Sequence, residues 1–117
     1  MRNGPNRNSP EPLFAALGDE IRWRLVVRLC DEGPLSITSL TTHSNVTRQA
    51  VTKHLHVLEN AGLIRVHRHG RESVWQLERQ RLEDARHYLD LISAQWDSAL
   101  ERLRQFVEAQ GKNPIDT

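Results

Sequence analysis

The stretch Val46-Thr47-Arg48-Gln49-Ala50-Val51-Thr52-Lys53-His54-Leu55, running on through Leu58 to Ala61-Gly62-Leu63-Ile64, constrains the fold more than any other part of the chain. Val51, Leu55 and Leu58 recur at helical spacing, while Thr47, Arg48, Gln49, Thr52 and Lys53 occupy the opposite face. A helix with one apolar stripe packs along that stripe and leaves its other side to solvent or a partner. The helix stops at Ala61-Gly62, and a short apolar run follows. Short donors and cations near a helix N-terminus suit the major groove of DNA, where base edges present acceptors and donors in distinguishable patterns.

The segments on either side extend this reading. Glu11 to Leu17 is a short helix ended by Gly18, and Asp19 has the chemistry to cap a second helix over Glu20 to Asp31. Ile21, Leu25, Val26, Leu29 and Cys30 form the buried stripe expected of that second helix. Gly33-Pro34 breaks the chain, Ser36 caps a third short helix over Ile37 to Thr42 with Leu40 inward, and Thr47 caps the fourth. Ile64 to Arg68 and Ser73 to Leu77 each alternate apolar and polar residues around a turn at His69-Gly70-Arg71-Glu72, as the arms of a β-hairpin do. A last helix spans about Leu82 to Ala109. The expectation is a mainly α chain with a small β-hairpin, in the order α-α-α-α-β-β-α of a winged helix-turn-helix. One such domain covers residues 11–110, between a disordered arm (1–10) and a flexible tail (111–117).

Length and composition agree with one modest core. The chain has 117 residues, 38% of them hydrophobic and 26% charged. No run of about 18 apolar residues suggests a membrane span. The polar start has no apolar stretch of the kind a signal peptide needs, and a lone cysteine, Cys30, fits a reducing cytoplasm better than a disulfide framework. A net charge of +1 says little about partners, but its distribution does. From His43 to Arg71 five Lys/Arg (Arg48, Lys53, Arg65, Arg68, Arg71) face one acid, Glu59, and five of the six histidines lie there. From Glu72 onward nine acids outnumber six bases. A basic centre between more acidic ends is a local footprint for phosphate.

The candidate site follows from these positions. Arg48 is suited to guanine O6/N7 and Gln49 to adenine N6/N7, while Thr47, Thr52, Lys53 and His54 are placed for phosphates. Ala50 and Val51 are small enough for close helix packing. Arg68, His69 and Arg71 surround Gly70 at the hairpin tip, where they would flank the groove. Taken alone, a solvated polar helix face explains the first group equally well; the basic tip directly after it favours DNA.

With these residues in view, Leu13 to Leu77 resembles the ArsR-type winged-helix regulators. The matching text is F-A-A-L-G-D-E-I-R-W-R-L-V-V-R-L, then V-T-R-Q-A-V-T-K-H-L-H-V-L-E-N-A-G-L-I, then R-H-G-R-E-S-V-W-Q-L. Phe14 to Asp19 resembles that family's opening block, with Arg22 as its arginine. The resemblance implies a homodimeric repressor on a palindromic operator of double-stranded DNA, autoregulated and cytoplasmic, and not an enzyme. Family members that sense metals carry either a Cys-x-Cys pair on the third helix or an Asp-x-His and His-x-x-Glu set on the last helix. Here Ser36 to Thr42 holds no cysteine, and Asp84-Ala85-Arg86-His87 has the wrong spacing. No metal ligands and no cofactor are expected, and the text D-L-I-S-A-Q-W-D-S-A-L-E-R-L-R-Q-F-V-E resembles a subgroup without metal ligands.

The last helix carries Leu89, Ile92, Trp96, Leu100, Leu103, Phe106 and Val107 at three- and four-residue steps, widened by Tyr88, Leu91 and Ala99. A small wing domain has too little surface to cover this band, so a partner helix is expected, with Phe14 and Leu17 joining the dimer interface. Two other readings stand beside the regulator: a winged-helix protein-interaction module that has lost DNA binding, and a repressor responding to metal or redox through a non-standard site. No inducer is identified by the residues.

Overall fold

A computed structural model describes residues 9–42 and 44–111. It divides into two compact units, Met1–Ala85 and Arg86–Thr117. The first unit carries α1 (Pro10–Leu17), α2 (Glu20–Glu32), β1 (Leu35–Ser36), α3 (Ile37–Thr41), α4 (Arg48–Asn60), β2 (Ile64–His69) and β3 (Glu72–Leu77). The last helix, α5 (Arg79–Gly111), starts in the first unit and supplies the second.

The helix starts are set by side chains that accept orphan backbone N–H groups. Asp19 Oδ2 accepts from Ile21 N at 2.9 Å and Arg22 N at 3.1 Å. Ser36 Oγ accepts from Ser39 N at 3.1 Å, and Thr47 Oγ1 from Ala50 N at 3.1 Å. Leu13, Leu25, Val26, Leu29, Ile37, Leu40, Val51, Leu55, Leu58, Leu63, Ile64 and Trp75 make one buried core in the first unit. The stripe Val51, Leu55, Leu58 is thus the side of α4 that packs, as its spacing requires.

Several expectations need correction. The sheet has three strands, not two, in the order β1-β3-β2. Leu35 pairs with Trp75 and Ser36 with Val74, both antiparallel. Two residues are too few for an alternating pattern to register, and only the free edge of β3 makes them a strand. Cys30 is exposed rather than part of the α2 stripe, because Leu25, Val26 and Leu29 already fill the packed side and leave it at the edge. The first helix, expected from Glu11, begins at Pro10, and the Ser9 carbonyl accepts from Arg81 Nη2 at 2.6 Å. Residues 1–8 and 112–117, parts of the expected arm and tail, lie outside the described residues, as does His43.

The last helix also begins earlier than Leu82. Its first turn is held by Arg81 N and Leu82 N donating to the Glu78 carbonyl at 3.1 and 3.3 Å. Arg81 is 5% exposed and its Nε donates to the carbonyl of Ala61, the C-cap of α4, at 3.0 Å. A cation in this position looks like helix surface in the sequence. In the fold it ties the end of α4 to the start of α5 and to the chain before α1.

Candidate nucleic-acid interface

The α3–α4 turn is built by short side chains. Ser44 Oγ accepts from Val46 N at 3.0 Å, and Ser44 N donates to the Thr41 carbonyl at 3.2 Å. Thr47 then caps α4. Its Oγ1 is used as an acceptor, so its hydroxyl proton remains available to an incoming oxygen. Thr52 spends its proton on the Arg48 carbonyl at 2.9 Å and retains acceptor capacity. Arg48, Gln49 and Lys53 are exposed, and with Thr47, Ala50 and Thr52 they line one shallow groove at the start of α4. The free N–H groups and positive dipole end of a helix of this length favour phosphate at the same place.

The wing is a tight hairpin in which His69 pairs with Glu72, leaving Gly70-Arg71 as the connection. Gly70 has φ 65°, the left-handed region that side chains disfavour. Arg68, His69 and Arg71 are all exposed. Strand alternation separates two of them: Arg68 lies on the face of Ile64 and Val66, His69 on the face of Arg65 and His67. The tip therefore presents basic side chains to both sides rather than as one cluster.

His54 stands apart from the other candidate residues of α4. Its Nδ1 lies 3.2 Å from Arg22 Nη1 and 3.7 Å from Asp19 Oδ2, and only 21% of its side chain is exposed. Arg22 in turn donates from Nε to the Ala16 carbonyl at 2.8 Å. The backbone N–H of Arg22, opposed by partial burial and helped by the charges of Arg22 and His54, holds the Asp19 carboxyl below its ordinary value. His54 thus faces the α1–α2 junction, turned away from the groove at the start of α4. This joint was not visible beforehand, because the pairing partners are 32 residues apart. Arg28, also unanticipated, links α2 to α3 by donating to the Ser39 carbonyl at 3.0 Å. His56 packs edge-on against Trp75 at 5.6 Å between ring centres.

Phe14 and Leu17 are half-buried against the core of the first unit. In the second unit Leu89, Leu91, Ile92, Trp96, Leu100, Leu103, Phe106 and Val107 are all exposed, Trp96 by 63%. Arg104 pairs with Glu101 and Glu108 along the same helix. Among the described residues no three His, Cys, Asp or Glu side chains converge as a metal set would, and no helix is long and apolar enough to cross a membrane.

A capped helix offering Arg48, Gln49 and Lys53, preceded by a short helix and a tight turn and followed by a basic hairpin, defines a DNA-binding winged helix-turn-helix. Comparison with known proteins agrees. Residues 20–71 match the MarR family. The HTH-type transcriptional regulator Rv2034 of Mycobacterium tuberculosis is 35% identical over 103 residues, covering 88% of this chain and 92% of that one. An ArsR-like transcriptional regulator from Rhodococcus sp. RHA1 superposes with a TM-score of 0.72 at 35% identity, over 82% of this chain and 90% of that one. The ArsR family transcriptional regulator RHA00566 gives a TM-score of 0.70 at 28% identity, over 84% and 98% of the two chains. The chain belongs to the winged helix-turn-helix transcriptional regulators, with ArsR-like regulators among its structural neighbours.

Proposed function

We propose that the chain is a homodimeric transcriptional repressor that reads a palindromic operator, including one upstream of its own gene, in the cytoplasm. It belongs on this reading to the ArsR-type subgroup without metal-ligand motifs. The observation that carries the proposal is the exposed first turn of α4, where Thr47, Arg48, Gln49, Thr52 and Lys53 share one groove while the opposite stripe is fully buried. Arg48 and Gln49 take the base edges, Thr47, Thr52 and Lys53 the phosphates, and Arg68, His69 and Arg71 the flanking backbone. His54, the ninth residue expected at this surface, acts through its hold on Arg22 and Asp19 instead of touching DNA.

The dimer rests on the exposed face of α5. Leu89, Trp96 and Leu103 recur every seven residues, as do Ile92, Ala99 and Phe106. This is the spacing of a seam between two helices. So large an apolar stripe in water marks an interaction surface. A second copy is the partner that also gives a helix-turn-helix its two half-sites, about 34–36 Å apart. Phe14 and Leu17, already half-covered, add at most the edge of that interface.

The test is fluorescence anisotropy with DNA from upstream of the chain's own gene against scrambled DNA, at physiological salt. The expected preference is roughly 10³-fold or more. Arg48→Ala with Arg71→Ala should remove binding and leave the dimer mass unchanged. Equal affinity for both DNAs would overturn the regulator in favour of the protein-interaction module.

A further inference from the structure

We propose that the outer face of the wing is a proton-gated phosphate surface: His67 and His69 meet DNA phosphates as imidazolium ions, so affinity for DNA rises as the pH falls. This rests on the DNA-reading role proposed above and adds His67 to the residues that carry it. Strand alternation puts Arg65, His67 and His69 on one face of β2, away from Ile64 and Val66. All three are exposed. Their partners across the hairpin are Gln76, Val74 and Glu72. The other face is the packed one: Trp75 pairs there with Val66 and shares the core with residues of α2, α3 and α4.

The fixed charges of the outer face cancel. Arg65 Nε lies 3.5 Å from Oε2 of Glu78, the residue that follows β3. Glu72 stands opposite His69, and Arg71 is beside it in the turn. Ser36 of β1, next to Val74, adds no charge, and neither does any residue of α3. The remaining helices meet the sheet from the packed side. There His56 of α4 lies on Trp75 and 3.2 Å from Glu59, and Arg28 of α2 is held by Glu32. Two arginines against two glutamates leave the two imidazoles to set the sign of the outer face. Histidine changes charge between roughly pH 5 and 8. Across that range the face goes from neutral to doubly positive.

Among the described residues neither His67 nor His69 has a hydrogen-bond or ion-pair partner, so each ring is free to take one. Side chains two residues apart on a strand are separated by about 6.8 Å, far enough for each ring to meet its own phosphate. An imidazolium donates from both nitrogens, and its bond to a phosphate oxygen is of the strong, charge-assisted kind. A phosphate beside the ring favours the protonated form. DNA binding therefore takes up protons, and by reciprocity protons tighten DNA binding.

The experiment measures binding of the full chain to duplex DNA from upstream of its own gene, by fluorescence anisotropy, over a series of salt concentrations at about pH 6 and about pH 8. Binding should be about tenfold tighter at the lower pH. The slope of log K against log salt should be steeper there by up to about 1.8, or about 0.9 for each imidazolium on a phosphate. His67→Gln with His69→Gln should abolish the steepening, while His67→Lys with His69→Lys should give the steep slope at both pH values. His87→Gln, on α5, should keep the difference. Equal slopes at the two pH values in the unmodified chain, or a difference that survives the paired Gln substitutions, would overturn the proton-gated surface and leave the reading role of α4 standing. Absence of DNA binding at both pH values would remove the reading role and the proton-gated surface together.

Discussion

Arg22 Nη1 lies 3.2 Å from His54 Nδ1, joining the first turn of α2 to the middle of α4. The same guanidinium holds the Ala16 carbonyl, and Asp19 Oδ2 lies 3.7 Å from the same imidazole nitrogen. Three helices, α1, α2 and α4, meet at this joint.

Replacing His54 by Ala should weaken binding to specific DNA several-fold without altering its salt dependence. A lysine or arginine on phosphate contributes about 0.9 to the slope of log K against log salt, whereas His54 and Arg22 contact each other and the Asp19 carboxylate. Arg22→Ala should destabilise the fold by roughly 1–3 kcal/mol, since it strands a carbonyl and an imidazole nitrogen. Lys53→Ala should instead lower the salt slope by about one. Binding isotherms at several salt concentrations separate the two kinds of residue. A His54→Ala slope reduced like that of Lys53→Ala would place His54 on the DNA.

Asp19 has a lowered carboxyl pKa in the fold, owing first to the Arg22 backbone N–H. A group lowered in the native state stabilises the fold at pH above its unfolded value, about 3.9, and loses that contribution as pH falls through the native value. Asp19→Ser keeps a capping oxygen but no charge. It should melt below the unmodified chain at neutral pH, and the two melting temperatures should converge as the pH drops below about 4. Thermal unfolding followed by circular dichroism across that range gives the comparison.

The wing turn should tolerate no β-branched residue at position 70. Nothing lies within 4 Å of a Cβ built on Gly70, so the obstacle is purely its φ of 65°. Gly70→Val should cost about 1–2 kcal/mol in chemical denaturation, while Gly70→Asn should cost less because Asn enters this region more readily.

Charge placed in the α5 seam should separate the protomers. Leu103→Glu or Trp96→Glu should halve the mass seen by light scattering and weaken operator binding by roughly 10²–10⁴-fold, through loss of the tethered second half-site. Arg104, which pairs with Glu101 and Glu108, is the control, since Arg104→Gln leaves the stripe intact.

Much of this architecture was legible from residues alone. The caps at Asp19, Ser36 and Thr47 were readable because a capping oxygen acts within three residues of itself. The α4 stripe and the hairpin were readable because their periods of 3.6 and 2 are local. The exposed cationic face of α4 followed from the same geometry, since burying Val51, Leu55 and Leu58 turns Arg48, Gln49 and Lys53 outward.

What only the tertiary structure decided involves partners distant in the chain. β1 is a strand because β3 leaves an edge for it. Cys30 is exposed because three neighbours already fill the packed side of α2. Arg81 is buried because the end of α4 offers it the carbonyl of Ala61. His54 faces the α1–α2 junction because Arg22 and Asp19 lie within its reach. Periodicity tells which side of a helix is covered, but the groups covering it come from elsewhere in the chain, and their positions exist only once the chain has folded.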